Sequence, residues 1–180
     1  MTVPVSPEPD TLRPGITRAD FYCGRYRISG DASNGDRRLV DALRDPTRQY
    51  LDLRRVRVTA LDGAEPPAEH ADALLSKADV EWVAVRAEPP RAEARLYGYV
   101  RKVPVRVALV LHTCRIEGTV HVDSGATDPV HFFLRGLEKG TERFVAVTEP
   151  TVIPAPEDTD ETLKLAIVNR ASVRLYTALR

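Results

Sequence analysis

The feature that most constrains this chain is that it repeats itself. Arg27-Ile28-Ser29-Gly30 falls on Arg115-Ile116-Glu117-Gly118 at a spacing of 88 residues, and Leu39–Arg44 falls on Val130–Arg135 at 91. Tyr50-Leu51-Asp52-Leu53 falls on Phe144-Val145-Ala146-Val147 at 94, and Ala73–Val80 falls on Ala166–Val173 at 93. Four blocks in one order, drifting by six residues at most, predict two copies with short insertions in surface loops. The copies are read as residues 17–88 and 103–180. A linker at 89–102 joins them, and an arm at 1–16 precedes them, with four prolines in its first fourteen residues and no disposition to fold.

Each copy reads as mainly β with one short inserted helix. Strands alternate: Tyr26 and Ile28 against Arg25, Arg27 and Ser29 in the first copy, and Cys114, Ile116, Val120 and Val122 against Arg115, Glu117, Thr119 and His121 in the second. The run VPVRVALVLHTC is apolar on both faces near Leu109–Leu111, as a central strand would be. Gly30 and Gly118 suit a bend or bulge where a small barrel turns a corner. A helix is expected next. In the first copy Leu39, Ala42 and Leu43 form its face and Pro46 stops it; in the second, Asp128 and Pro129 start it, Val130, Phe133, Leu134 and Leu137 line it, and Gly140 ends it. Leu51 and Leu53, or Val145 and Val147, mark a further strand. The copy then closes on a hairpin, TLKLAIV, a turn at 169–172 and VRLYTAL in the second copy; in the first, PAEHADALLSKAD reads alternatively as a helical turn before VEWVAVRA. About five strands in some 75 residues close into a small β-barrel, and two barrels side by side bury more surface than one.

The closing block AIVNRASVRLYTA resembles the second motif of Sm-like proteins, with Ile167-Val168, Arg170-Ala171, Val173 and Leu175 in its places, and RIEGTVHV would be the early bent strand. The tandem ordering also resembles that of uncharacterised bacterial proteins. The resemblance implies tandem five-stranded barrels of a family that forms rings and binds single-stranded RNA or a protein partner. Ala171 and Ala78 stand where that family carries glycine, and its RNA-holding Asp and Asn are not evident, so no RNA-binding residue is transferred.

The search for chemistry returns little. There is no GxxxxGKS/T, GxGxxG, HExxH, GxSxG or paired CxxC. His121 and His131 flank a loop with Asp123 and Asp128, but their spacing is no compact ligand motif, and the first copy has no counterpart. Ser124, in Asp-Ser-Gly, reads as a turn, and the acidic EDTDE of 157–161 as a solvated loop. No enzyme activity, cofactor or metal is expected. Lysines and arginines balance acidic residues at 26 each, which excludes a binder driven by bulk positive charge. The longest apolar run, Val107–Leu111, is too short for a membrane helix. Cys23 and Cys114 are read as free, buried thiols, and no secretory leader is apparent, so a cytoplasmic protein is expected.

Two functional expectations follow. The first is a non-catalytic assembly module that associates with itself or docks a protein. The second is single-stranded nucleic-acid binding (RNA or DNA) through residues 91–106, where Arg91, Arg95, Arg101, Lys102 and Arg106 oppose Glu93 alone and Tyr97 and Tyr99 interleave as stacking platforms.

Overall fold

A computed structural model describes residues 12–89, 102–123, 143–155 and 163–179. Most of the arm, the second expected helix, the acidic loop, Ser124, Asp128 and His131 lie outside these residues. So do Arg91, Arg95, Tyr97, Tyr99 and Arg101.

The described chain is mainly β. Its strands are β1 (Ile16–Cys23), β2 (Tyr26–Ser33), β3 (Tyr50–Ala60), β4 (Ala68–Ser76), β5 (Trp82–Ala87), β6 (Lys102–Val110), β7 (Arg115–Asp123), β8 (Phe144–Ile153), β9 (Leu165–Asn169) and β10 (Leu175–Ala178). One helix, α1 (Leu39–Arg44), sits between β2 and β3, where the apolar spacing placed it, and buries Leu39, Val40, Ala42 and Leu43. All ten strands join one antiparallel sheet in the order β10-β6-β7-β8-β9-β5-β1-β2-β3-β4.

In each half the fifth strand lies beside the first, followed by the second, third and fourth. The halves meet where β5 pairs with β9, Trp82 opposite Val168 through Val85 opposite Leu165. Gly30 and Gly118 occupy corresponding irregularities. The β2–β3 register shifts between Ser29 and Asp31, and the β7–β8 register between Glu117 and Thr119. Across from each glycine lies a non-glycine residue in the left-handed region, Arg55 at φ 51° and Glu149 at φ 50°. The extra residue changes the inward phase of its strand, as a bulge must. In β3 the buried set runs Leu51, Leu53, then Val56; in β8 it runs Val145, Val147, then Pro150 and Val152.

Two cores form on opposite faces of the joint strands. Val83 and Val85 of β5 and Ile167 of β9 join Phe21, Leu39, Leu53, Val56 and Phe144. Trp82 and Ala84 of β5, with Ala166 and Val168 of β9, join Leu109, Ile116 and Val147. Each core thus borrows side chains from the other half. Full burial of an aliphatic or aromatic side chain is worth about 1.5–3 kcal/mol, so this exchange binds the halves strongly.

Polar clamps reinforce the joint. Asn169, fully buried, donates from Nδ2 to Val80 O at 2.7 Å, and its Oδ1 accepts from Arg143 Nε at 3.2 Å. Arg44 Nε donates to Phe144 O at 2.8 Å, tying α1 across the joint. Lys77 Nζ donates to Ala42 O at 2.7 Å and Asp45 O at 2.8 Å, placing a cation on the carbonyl end of α1.

Several expectations need correction. The closing strands form no hairpin: β9 pairs with β8 and β5, while β10 pairs with β6, and likewise β4 pairs with β3 and β5 with β1. A 3-10 turn at Arg170–Ser172 separates β9 from β10, with Asn169 Oδ1 accepting from Ala171 N, so the chain crosses to the far side of its half. PAEHADALLSKAD is strand β4 rather than a helical turn, because β3 offers it an open ladder. The first half opens with β1, ahead of the strand read at Tyr26. The two cysteines are free but half-buried rather than fully so.

Candidate functional site

Of the chemistry-bearing residues expected from sequence, Lys102, His121 and Asp123 line one cleft beside α1, whereas Arg106 and His112 lie apart from it. Lys102 and Arg106 stand exposed on β6. His121 is exposed on β7 and His112 is exposed in the turn after β6. Among the described residues, no group of three or more His, Cys, Asp or Glu side chains is placed to hold a metal ion. Nor is any described helix long and apolar enough to cross a membrane.

Two other features are concentrated. The first is the pair of open sheet edges. β4 ends the sheet on one side and β10 on the other. Among the described residues no further strand pairs with either, and Leu74 of β4 is 69% exposed and Leu175 of β10 54% exposed. Open edges of this kind normally carry charge, proline or a bulge to prevent pairing. β4 carries Glu69, His70 and Asp72 in its outer part, but its last stretch, Ala73-Leu74-Leu75-Ser76, is uncharged. β10, Leu175-Tyr176-Thr177-Ala178, has no charge at all. Lys77 N donates to Gln49 O at 3.0 Å, so alternation along the ladder turns the Ser76, Leu74 and Asp72 N–H groups away from β3 and towards the open side.

The second feature is a cavity of about 550 Å³ beside the joint. Tyr22 of β1 and Trp82 of β5 form part of its lining, their rings parallel within 5° at a centroid separation of 3.9 Å. Thr59 and Ala60 of β3 and Arg27 of β2 line it from one half; Thr113, Cys114 and Val152 line it from the other. Burial, and then the nearby Asp20 carboxylate, push the Tyr22 phenol up to about 12, with Arg27 pulling the other way. Burial likewise raises the Cys114 thiol to about 11. Neither group ionises near neutral pH, so the lining presents hydrogen-bond donors rather than nucleophiles.

Beneath the α1 C-terminus lies a third, basic cleft with Arg44, Arg48, Lys77 and Arg143. Arg44, Lys77 and Arg143 are committed to backbone carbonyls or to Asn169. Burial lowers the Lys77 amine below its ordinary value, and the nearby Asp45 counters this. The cleft is therefore structural.

Sequence reading missed the edges because Leu74 and Leu75 resemble a helix face as readily as a strand. It missed the Tyr22–Trp82 pair because their contact spans sixty residues. The one available signal was that Trp82 is the only tryptophan in the chain. Comparison with family models, curated proteins and solved structures finds no match.

Proposed function

We propose that this chain is a non-catalytic assembly module, built as two copies of a five-stranded Sm-like unit, and that it associates with further copies of itself edge to edge. The observation that carries the reading is the β5–β9 joint, which is an edge pairing already made within one molecule. β5 is the fifth strand of its half and β9 the fourth of the other. The strands left open are the remaining fifth strand, β10, and the remaining fourth strand, β4.

Carrying the joint register across at the spacing of 93 pairs Leu175 with Leu75 of a second copy, Tyr176 with Leu74, and Thr177 with Ala73. In the joint, Asn169 N donates to Glu81 O at 2.9 Å, so β9 turns its 169, 167 and 165 N–H groups towards β5. The corresponding β4 groups, at Ser76, Leu74 and Asp72, are those facing the open side. Donors, spacing and apolar character thus agree with the joint. The contact is heterologous, using two different edges, so it propagates into a closed ring or an open fibre rather than stopping at a dimer.

Light scattering coupled to size exclusion tests this. The full chain is expected as a multimer whose mass falls on dilution. Leu74→Pro removes one outward N–H and leaves the inward ladder to β3 intact, so it should yield a folded monomer. A wild-type chain that stays monomeric at about 0.1 mM, a concentration at which even micromolar contacts form, would overturn the proposal.

A further inference from the structure

We infer that Tyr50 is the anchor by which one copy of the chain enters the core of the next, the core built on Leu109 and Ile116. The inference rests on the edge-to-edge reading and deepens it, from a pairing of strands to an exchange of cores. The open corner of β3 and β4 is built like the corner of β8 and β9 that meets the other half. Tyr50 lies opposite Ser76 as Phe144 lies opposite Asn169. Lys77 N donates to Gln49 O at 3.0 Å, and in the same place Arg170 N donates to Arg143 O at 2.8 Å. Phe144 and Ile167 therefore show what this corner does when a neighbour is present. Both are fully buried, in the core of the opposite half with Val80 and Val83.

Their counterparts lack that burial on both sides of the contact. Tyr50 is 53% exposed, and Leu74 stands exposed on the same face, diagonal to it across the β3–β4 ladder. On the receiving side, Val173 and Tyr176 hold the positions of Val80 and Val83, yet both are only partly buried against their core. The register of the joint sets Leu74 opposite Tyr176, so Tyr50 and Leu74 fall on the face that Tyr176 turns to that core. Around this apolar pair the surface changes character. Asp52 and Asp72 flank it on the same face, facing Arg48 at 4.0 Å and Arg54 at 3.8 Å, where the inner corner has Ala146 and Leu165 packed into the core. A central aromatic with a charged rim is the make-up of a contact between separate molecules, and tyrosine is a frequent anchor in such contacts.

Light scattering of the full chain over a dilution series tests the anchor. Tyr50→Ala should weaken association about thirtyfold, the loss expected of a central aromatic. Tyr50→Phe should retain it, because phenylalanine fills the counterpart position as Phe144. Leu61→Ala removes an exposed leucine in the turn after β3, off both edges, and should leave the mass unchanged. The urea midpoint of dilute Tyr50→Ala should match that of the wild type. Should it fall, Tyr50→Lys, whose long stem still covers the surface, gives the second reading with the same loss of association. Association broken by Leu74→Pro but unmoved by Tyr50→Ala would overturn the anchor and leave the edge pairing standing. Equal weakening by Leu61→Ala, or loss of association in Tyr50→Phe, would overturn it too, the first by marking unspecific apolar contact and the second by tracing the effect to the hydroxyl. A monomeric wild type would overturn the edge pairing and the anchor with it.

Discussion

β9 and β4 hold the same position in the strand order of their halves and have opposite surroundings. Ile167 of β9 is fully buried; Leu74, 93 residues earlier, is 69% exposed. The fifth strands differ in the same way, since Trp82 of β5 is 1% exposed and Leu175 of β10 is 54% exposed. The sequence at these positions is apolar in all four strands. What separates them is whether a neighbouring strand has arrived. The inner pair shows what apolar residues at these edges achieve once paired: both faces buried, each in a different core, with Asn169 clamped between. The outer pair carries similar residues with no described strand against them, and that contrast is what supports the proposed edge association.

The largest effect that would sharpen this contrast is a set of truncations. Trp82→Ala and Ile167→Ala remove fully buried side chains and should cost about 3–5 and 2–5 kcal/mol respectively. Leu175→Ala and Leu74→Ala should change the stability of dilute protein by less than about 0.5 kcal/mol. Urea unfolding measures both sets. Since each core borrows from the other half, the inner variants should lower a single transition. Two separated transitions, one per half, would break the comparison by showing that the joint does not couple the cores.

How far the sequence carried this picture depends on which interactions set each element. Alternation in Ile116, Val120 and Val122, the helix face of Leu39, Ala42 and Leu43, and the bend at both glycines were legible because local periodicity and backbone sterics determine them. The pairing of β5 with β9 was not, since it depends on which of several apolar edges meet in space. The same reason hid the separation of β9 from β10. A short turn between two strands suggests a hairpin, and only the 3-10 turn capped by Asn169 sends the second strand to β6. The cavity was illegible for a further reason: Tyr22, Thr59, Trp82 and Thr113 meet only through long-range packing.

The two bulges allow a finer test. At both, a left-handed residue faces a glycine, but the charges differ. In the first half Asp31 accepts from Arg18 Nε at 3.1 Å and Arg55 Nε at 2.8 Å. In the second half Thr148 Oγ1 donates to Thr119 O at 3.2 Å instead. The backbone geometry therefore persists without the ion pairs. A Cβ on Gly118 would lie 2.6 Å from Val147 Cγ1 and 2.9 Å from Thr148 O; on Gly30 the closest atom is Arg54 O at 3.1 Å. Gly118→Ala should therefore cost about 1–3 kcal/mol, through a carbonyl that cannot retreat. Gly30→Ala should cost under about 1 kcal/mol, since a shift of a few tenths of an ångström suffices. Thermal melts of the two variants decide, and an equal or larger penalty at Gly30 would show that the bulges are not equivalent.

The smallest expected difference lies between the thiols, one in each half. Burial raises Cys23 to about 12, with Asp79 and Glu81 adding to it, whereas Cys114 reaches about 11, the neighbouring Thr113 side chain opposing its burial. Only the thiolate is alkylated, and its fraction falls as the pKa rises, so iodoacetamide should label Cys114 faster than Cys23. The same shifts fix a sign for stability. A thiol whose pKa is raised by folding contributes in full below its unfolded value near 9.0 and loses that contribution as pH climbs towards 12. Native stability should therefore decline above pH 9, and Cys23→Ala should flatten that decline more than Cys114→Ala. Peptide mapping of labelled protein over time gives the order directly, and faster labelling of Cys23 would mean that the β1–β2 turn opens more readily than the β6–β7 turn beside the cavity.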